Sequence, residues 1–240
     1  MSKLHWDDTG KRFFELGIKK CVLFVQNDNG VYHSGVPWSG VTSINETIEG
    51  ADENTFWSDG VKYSSEVSIG EFKATIEAYQ CPTQFYECDG TVLVKNGLYA
   101  TQQKRRRFGL CYTTTIGNDT YGVGRGEKIH LVYNAIALPT ERAYETINDS
   151  PDAMTLSWDI TTLPNPFIEN YLPCSHFMID TMEMSPNLKK ELEKVLYGTD
   201  STYSRLPAIN ELETIFTYPV LIDSLGNIVV NASNEAVLTY

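Results

Sequence analysis

Positive charge is scarce in this 240-residue chain, in which 19 lysines and arginines stand against 31 aspartates and glutamates for a formal net charge of −12 at pH 7. A surface of that sign repels phosphate backbones and anionic lipid, which excludes a protein that wraps nucleic acid sequence-specifically. Cysteine is scarce too. The five residues Cys21, Cys81, Cys88, Cys111 and Cys174 are odd in number, widely spaced and free of any Cys-x-x-Cys pair, so neither a disulfide framework nor a zinc ribbon is expected. Reduced, mostly buried thiols follow. Long apolar runs are missing: nothing approaches the roughly 18 uninterrupted apolar residues of a membrane span, and the segment Met1–Gly17 has no apolar signal core. The chain is therefore expected to be neither secreted nor membrane-spanning, and its Asn-x-Ser/Thr triplets at Asn45, Asn118, Asn148 and Asn231 are expected to carry no glycan.

Recognisable catalytic chemistry is also absent. Only four histidines occur (His5, His33, His130, His176), no two histidines or cysteines stand at i, i+2 or i, i+4 spacing, and the acids are dispersed, so no metal and no cofactor are expected. Cys111 and His130 lie on expected strands that can neighbour one another, but no flanking motif activates the thiol, and a buried cysteine with a surface histidine is the simpler account. Gly122-Val-Gly124-Arg-Gly126 lacks the strand before it and the helix after it that a phosphate cradle needs, and it reads as a hairpin tip. The expectation is a protein that is not an enzyme.

What remains is the profile of a folded β protein. Hydrophobic residues make up 42% and charged residues 21%, ordinary globular values, and the length is enough to bury a core without staples. Ile129, Leu131, Tyr133 and Ala135 alternate with Lys128, His130, Val132 and Asn134, as in a half-buried strand. Phe72 to Tyr79 and Leu156 to Thr161 alternate in the same way, and further β-rich runs are Cys21 to Gln26, Val41 to Ile48, Thr91 to Val94 and Phe108 to Ile116. Asn27-Asp28-Asn29-Gly30 and Asn96-Gly97 supply turns. One helix is expected after Ser185 as N-cap and Pro186 as first residue. Its stripe is Leu188, Leu192, Val195 and Leu196, and Gly198 is expected to end it as the left-handed C-terminal residue. Ile209, Leu212, Ile215 and Phe216 suggest a second, and Pro219–Val230 a terminal hairpin.

Charge is unevenly placed. Residues 1–100 carry 8 basic and 14 acidic groups, 101–150 carry 7 and 5, and 151–240 carry 4 and 12. The basic run Lys104-Arg105-Arg106-Arg107 is either a solvated edge that discourages wrong strand pairing or a counter-patch for the acidic surface of another copy. A positive middle with negative flanks suits self-association.

The wording of the chain adds a resemblance. The first segments that carry it are Trp6-Asp7-x-Thr9-Gly10-Lys11-Arg12 with Gly17, Trp38-x-Gly40-Val41-Thr42-Ser43, Glu71-Phe72-x-Ala74-Thr75-Ile76-Glu77-Ala78-Tyr79 and Cys88-Asp89-Gly90. They are followed by Gln103-Lys104-Arg105 to Phe108-Gly109-Leu110-Cys111-Tyr112, Ile116-Gly117-Asn118-Asp119-Thr120, His130-Leu131-Val132-Tyr133, Ile147–Pro151, Leu196–Asp200 and Arg205-Leu206-Pro207. In this order, from about residue 6 to about residue 216, they resemble the major tail (tail tube) protein of long-tailed bacteriophages and prophages of Gram-positive hosts. The resemblance implies a mainly β tail-tube fold: two packed antiparallel sheets, sandwich- or barrel-like, with a flanking helix and long loops. On it, residues 1–218 are the tail-tube domain with an N-terminal arm, and 219–240 a C-terminal extension.

It further implies a structural virion protein of a non-contractile tail, assembled in the host cytoplasm. Hexameric rings stack into the tube through which the genome is ejected. The implied partners are other copies of the chain and the tape-measure, tail terminator and tail-tip proteins, with DNA passing through the lumen unbound and no membrane involved. A ring-former must pair sheet edges between subunits through one repeated interface. Trp6 in the arm, Asp52 and Glu53 in the acidic stretch Glu46–Asp89, and Lys104 to Arg107 are the candidate inter-subunit contacts, as against surface loops with local packing only. A wall lining DNA is expected to be negative, because a basic one would hold the polyanion. The competing readings are a soluble carbohydrate- or ligand-binding β-sandwich and, with least support, a hydrolase using Cys111 or an acid pair.

Overall fold

Alternating and β-branched runs become the strands of one large sheet in the computed structural model, which describes residues 4–68, 70–144, 146, 153–166 and 171–217. The sheet is built from β1 (Phe13–Val25), β2 (Val36–Pro37), β3 (Val41–Glu49), β6 (Glu71–Ala78), β9 (Phe108–Asn118), β10 (Gly122–Ala137), β11 (Leu156–Thr162) and β12 (His176–Asp180). Two hairpins stand apart from it, β4 (Glu53–Ser58) with β5 (Val61–Val67) and β7 (Val92–Lys95) with β8 (Leu98–Ala100). The helices are α1 (Tyr86–Asp89), α2 (Pro186–Tyr197) and α3 (Ile209–Thr217). The terminal hairpin expected at Pro219–Val230, and with it the 219–240 extension, lies outside the described residues.

Strand order is β2-β1-β9-β10-β11-β6-β3, antiparallel throughout, with β12 also paired to β10. The two ends of that order, β2 and β3, are joined by only Trp38, Ser39 and Gly40. So short a link spans at most about 14 Å. The sheet must therefore curl until its ends meet, which realises the barrel-like form of the expected mainly β fold. The seam between β1 and β3 is closed by side chains. Val41 and Ile44 pack with Cys21 and Leu23 inside, and the Tyr112 hydroxyl on β9 donates to Glu46 on β3 at 2.5 Å.

The interior is aromatic at one end. Phe85 lies 4.5 Å from Trp38, 5.3 Å from Phe108 and 5.2 Å from Trp158 between ring centroids, and the Trp38 indole donates to the Gln80 carbonyl at 2.8 Å. Phe72, Ala74, Ile76 and Ala78 point inward while the alternate residues of β6 do not, as their spacing predicts. On the outer face, Val22, Phe24, Cys111, Ile129, Leu131 and Tyr133 are covered by Leu192 and Leu196 of α2 and Leu212 of α3. Burying a side chain of this size contributes about 1.5–3 kcal/mol.

This second cover corrects one expectation. The centre of β10 is not half-buried: Ile129 through Tyr133 are all buried, because helices seal one face and the barrel interior the other. His130, expected at the surface, is 5% exposed for the same reason. The helix expectations hold except for the left-handed conformation at the end of α2. Ser185 Oγ accepts from the Leu188 N–H at 3.2 Å, Pro186 opens α2, and Gly198 ends it at φ 77°, ψ −179°, positive in φ but outside the left-handed helical region. Lys20 and Lys189 both reach Glu127, tying β1 and α2 to β10.

Candidate self-assembly surfaces

The stand-off hairpin β4–β5 is created by Asp59-Gly60, whose φ values of 49° and 74° form a two-residue turn matched to strand twist. Glu53 anchors its base, accepting from Lys62 and from the Ser65 hydroxyl. Lys62 first and Ser65 second hold the Glu53 carboxyl below its ordinary range. Next to it, the Asp52 N–H donates to Ser68 Oγ at 3.0 Å and Ser68 Oγ donates to the Gly50 carbonyl at 2.6 Å. Every described residue of the ribbon except Thr55 is exposed, including Phe56, Trp57 (67%), Val61, Tyr63 (80%) and Val67. An isolated two-stranded ribbon is marginal in water, and so many exposed large apolar side chains on one make it a candidate contact surface. The hairpin was not expected from strand patterning; Asp59-Gly60 between two short runs was the signal that could have found it.

The same geometry recurs at β7–β8. Asn96-Gly97 turns it at φ 42° and 85°, and Val92, Leu93, Val94, Leu98 and Tyr99 are exposed. Free sheet edge adds to these surfaces. Among the described residues, β3 pairs only with β6, and the first half of β1 pairs only with β9, leaving N–H and C=O groups beside the exposed Phe13, Phe14 and Leu16. The N-terminal arm folds onto the β9–β10 turn. The Gly10 N–H donates to the Asp119 carboxylate at 3.0 Å, Asn118 donates to the Gly10 carbonyl at 3.0 Å, and Arg12 donates to the Asp7 carbonyl at 2.6 and 2.9 Å. Trp6, 76% exposed, extends from that anchor.

The basic run is divided by its surroundings. Lys104 is exposed, whereas the three arginines are half-buried, Arg106 and Arg107 with polar partners in their own chain and Arg105 with its Nε buried and unpaired. Arg105 lies over Gly90, where a Cβ would come within 3.3 Å of its Cγ and 2.8 Å of the Gln103 carbonyl. Arg106 pairs with Glu87 at 2.9 Å, and Arg107 donates to the Asn134 carbonyl at 2.8 Å. The run thus straps the segment around α1 to the sheet. Trp6, the Asp52–Glu53 hairpin base and Lys104 to Arg107 lie on three separate segments, and no contact among the described residues brings them together.

Cys111 and His130 do not form a dyad. Tyr112, not Cys111, stands opposite His130, so the thiol faces the helices and the imidazole the interior. Burial also pushes the Cys111 thiol up to about 12. Three residues that no local spacing joins do meet: Glu46, His130 and His176, whose ligand atoms all lie within 4.8 Å of one another. β12 pairs with β10 directly, and the curl of the sheet brings β3 to them, so residues distant in sequence meet where no spacing rule finds them.

No protein-family model matches this chain, and no curated protein matches it significantly. Among solved structures it is similar to the sheath/tube terminator of an extracellular contractile injection system (PVC, extended state), with 11% identity over 74% of this chain and 99% of that one, TM-score 0.32. It is also similar to a chain of the anti-feeding prophage (AFP) baseplate, with 7% identity over 73% of this chain and 97% of that one, TM-score 0.34. Overlap at these scores is partial, and it carries no argument about function or assembly.

Proposed function

We propose that this chain is a structural subunit of a phage-type tail, which associates with itself into hexameric rings that stack as the tail tube. The observation that carries the reading is the β4–β5 ribbon, an exposed hairpin with apolar side chains on a subunit that also leaves edges of β1 and β3 unpaired. Inter-subunit strand addition would give those edge groups partners, and a ribbon that projects can reach a neighbouring copy or ring. The ordered segments that resemble the tail tube protein support the same reading. On it, Trp6, Asp52, Glu53 and Lys104 belong to contacts between subunits, tape-measure, terminator and tail-tip proteins are further partners, and acidic groups face the bore so that DNA slides.

Negative-stain imaging of the purified full chain over a concentration series tests this. Rings or hollow tubes are the expected outcome. A persistent monomer that binds an oligosaccharide saturably would overturn it in favour of the carbohydrate-binding reading. Replacing Asn54–Glu66 by a short Gly/Ser link should leave the circular dichroism spectrum of the sheet intact and abolish the assemblies.

A further inference from the structure

Inside the curled sheet, His130 Nδ1 lies 3.1 Å from His176 Nε2 and 3.4 Å from Glu46 Oε1. A tetrahedral zinc ion with ligand bonds of about 2.0–2.1 Å sets neighbouring ligand atoms about 3.3 Å apart. Both separations fall close to that edge length. We propose that Glu46, His130 and His176 are a binding site for one divalent transition-metal ion of the zinc type, which ties β3 to β10 and β12 across the interior.

The donor chemistry selects the class of ion. Two imidazoles and one carboxylate, with a fourth position left for water, suit zinc and its competitors copper, nickel and cobalt, whereas magnesium and calcium favour all-oxygen sets. Both imidazoles are available as ligands. A neutral imidazole carries one nitrogen lone pair, and His130 Nδ1 and His176 Nε2 are the two nitrogens that approach each other. The ring planes lie within 11° of parallel with centroids 5.3 Å apart, and His130 Nδ1 and His176 Nε2 approach to 3.1 Å. A cation there replaces the single proton that two neutral imidazoles share, with a tilt of the rings to bring both lone pairs onto it.

The surroundings are those of a supported ligand set. Tyr112 stacks on His130 at 4.7 Å and 7°, and Phe72 stacks on His176 at 4.4 Å. The Tyr112 hydroxyl donates to Glu46 Oε1 at 2.5 Å and orients that carboxylate. His130 Nε2 is buried without a hydrogen bond, and Glu15 Oε1 is 4.0 Å away. Ligation through Nδ1 puts the proton on Nε2, on the side where Glu15 lies 4.0 Å away, beyond hydrogen-bond distance.

The test uses the untagged full chain, stripped with a chelator and titrated with Zn2+ alone by calorimetry. One ion per chain is expected, together with a higher thermal midpoint, and Co2+ in its place should give the intense visible absorption of tetrahedral coordination. Glu46→Gln and His176→Gln, at the more accessible ligands, should each weaken Zn2+ binding by at least about tenfold while the circular dichroism spectrum is unchanged. Absence of saturable binding at one ion per chain overturns the proposal. So does unchanged affinity in both variants, which would place the ion on other groups such as His5 or His33. Should the variants not fold, the wild-type Co2+ spectrum decides: no tetrahedral bands, no site. The proposal stands apart from the tail reading, since it concerns a single subunit.

Discussion

The β9–β10 pair and the β4–β5 pair are both antiparallel ribbons closed by tight turns, and they differ almost wholly in what covers them. β10 is buried on both faces at its centre, under α2 and α3 on one side and the aromatic interior on the other. Among the described residues, nothing covers β4–β5. Ladder hydrogen bonds are common to both, so the contrast isolates burial as the source of stability and leaves the apolar side chains of the second ribbon for contacts outside the subunit.

The largest break in that contrast is expected at Trp158, fully enclosed by Trp38 and Phe85. Trp158→Ala should cost about 3–5 kcal/mol in urea unfolding, and assembly should vanish with the fold. A midpoint within error of the wild type would show that the interior is not where the stability lies. Ser185→Ala removes the cap of α2, the cover of β10, and should cost about 1 kcal/mol.

Acid acts next. Burial alone would raise the Glu127 carboxyl, but Lys189 and Lys20 more than reverse it, and Arg205 lowers Glu211. Because both folded pKa values are depressed, this stabilisation is complete above the ordinary carboxylate range and is lost as pH falls through the folded values. These pairs are partly solvated, so each contributes under about 1 kcal/mol. A pH series of thermal midpoints should decline below the ordinary value of 4.5, and Glu127→Gln should flatten part of the decline.

The smallest effect on stability is expected at Trp57→Ala, within about 0.5 kcal/mol. Its effect should appear instead in light scattering, as a higher concentration needed for assembly. A Trp57→Ala chain that assembles like the wild type would remove the β4–β5 ribbon from the interface.

How far the chain could be read in advance follows the same division. β6 was legible because one face of it is wet, and α2 because its cap, opening proline and leucine stripe agree. β10 was only half legible, since burial on both faces erases the meaning of alternation, and His130 was misplaced with it. β1 begins at Phe13, earlier than the run Cys21 to Gln26 suggests, because its first half is an exposed edge without a core-facing pattern. Lys104 to Arg107 reads as four equivalent charges, yet three are held by Gly90, Glu87 and Asn134, contacts that depend on distant segments. Glu46, His130 and His176 were invisible as a group for that reason too.

The three-residue link between β2 and β3 also bears on kinetics. With these neighbours in sequence at opposite ends of the strand order, the seam cannot close until β1 has found β9 and β6 has found β11, pairings of high contact order such as Phe13 with Asn118 and Ala78 with Leu156. Chains dominated by such pairings fold in roughly milliseconds to seconds. The chain therefore spends that interval with its interior rings and edges open together, and on the proposed self-assembly, completing its own fold sets when it is ready to meet another copy.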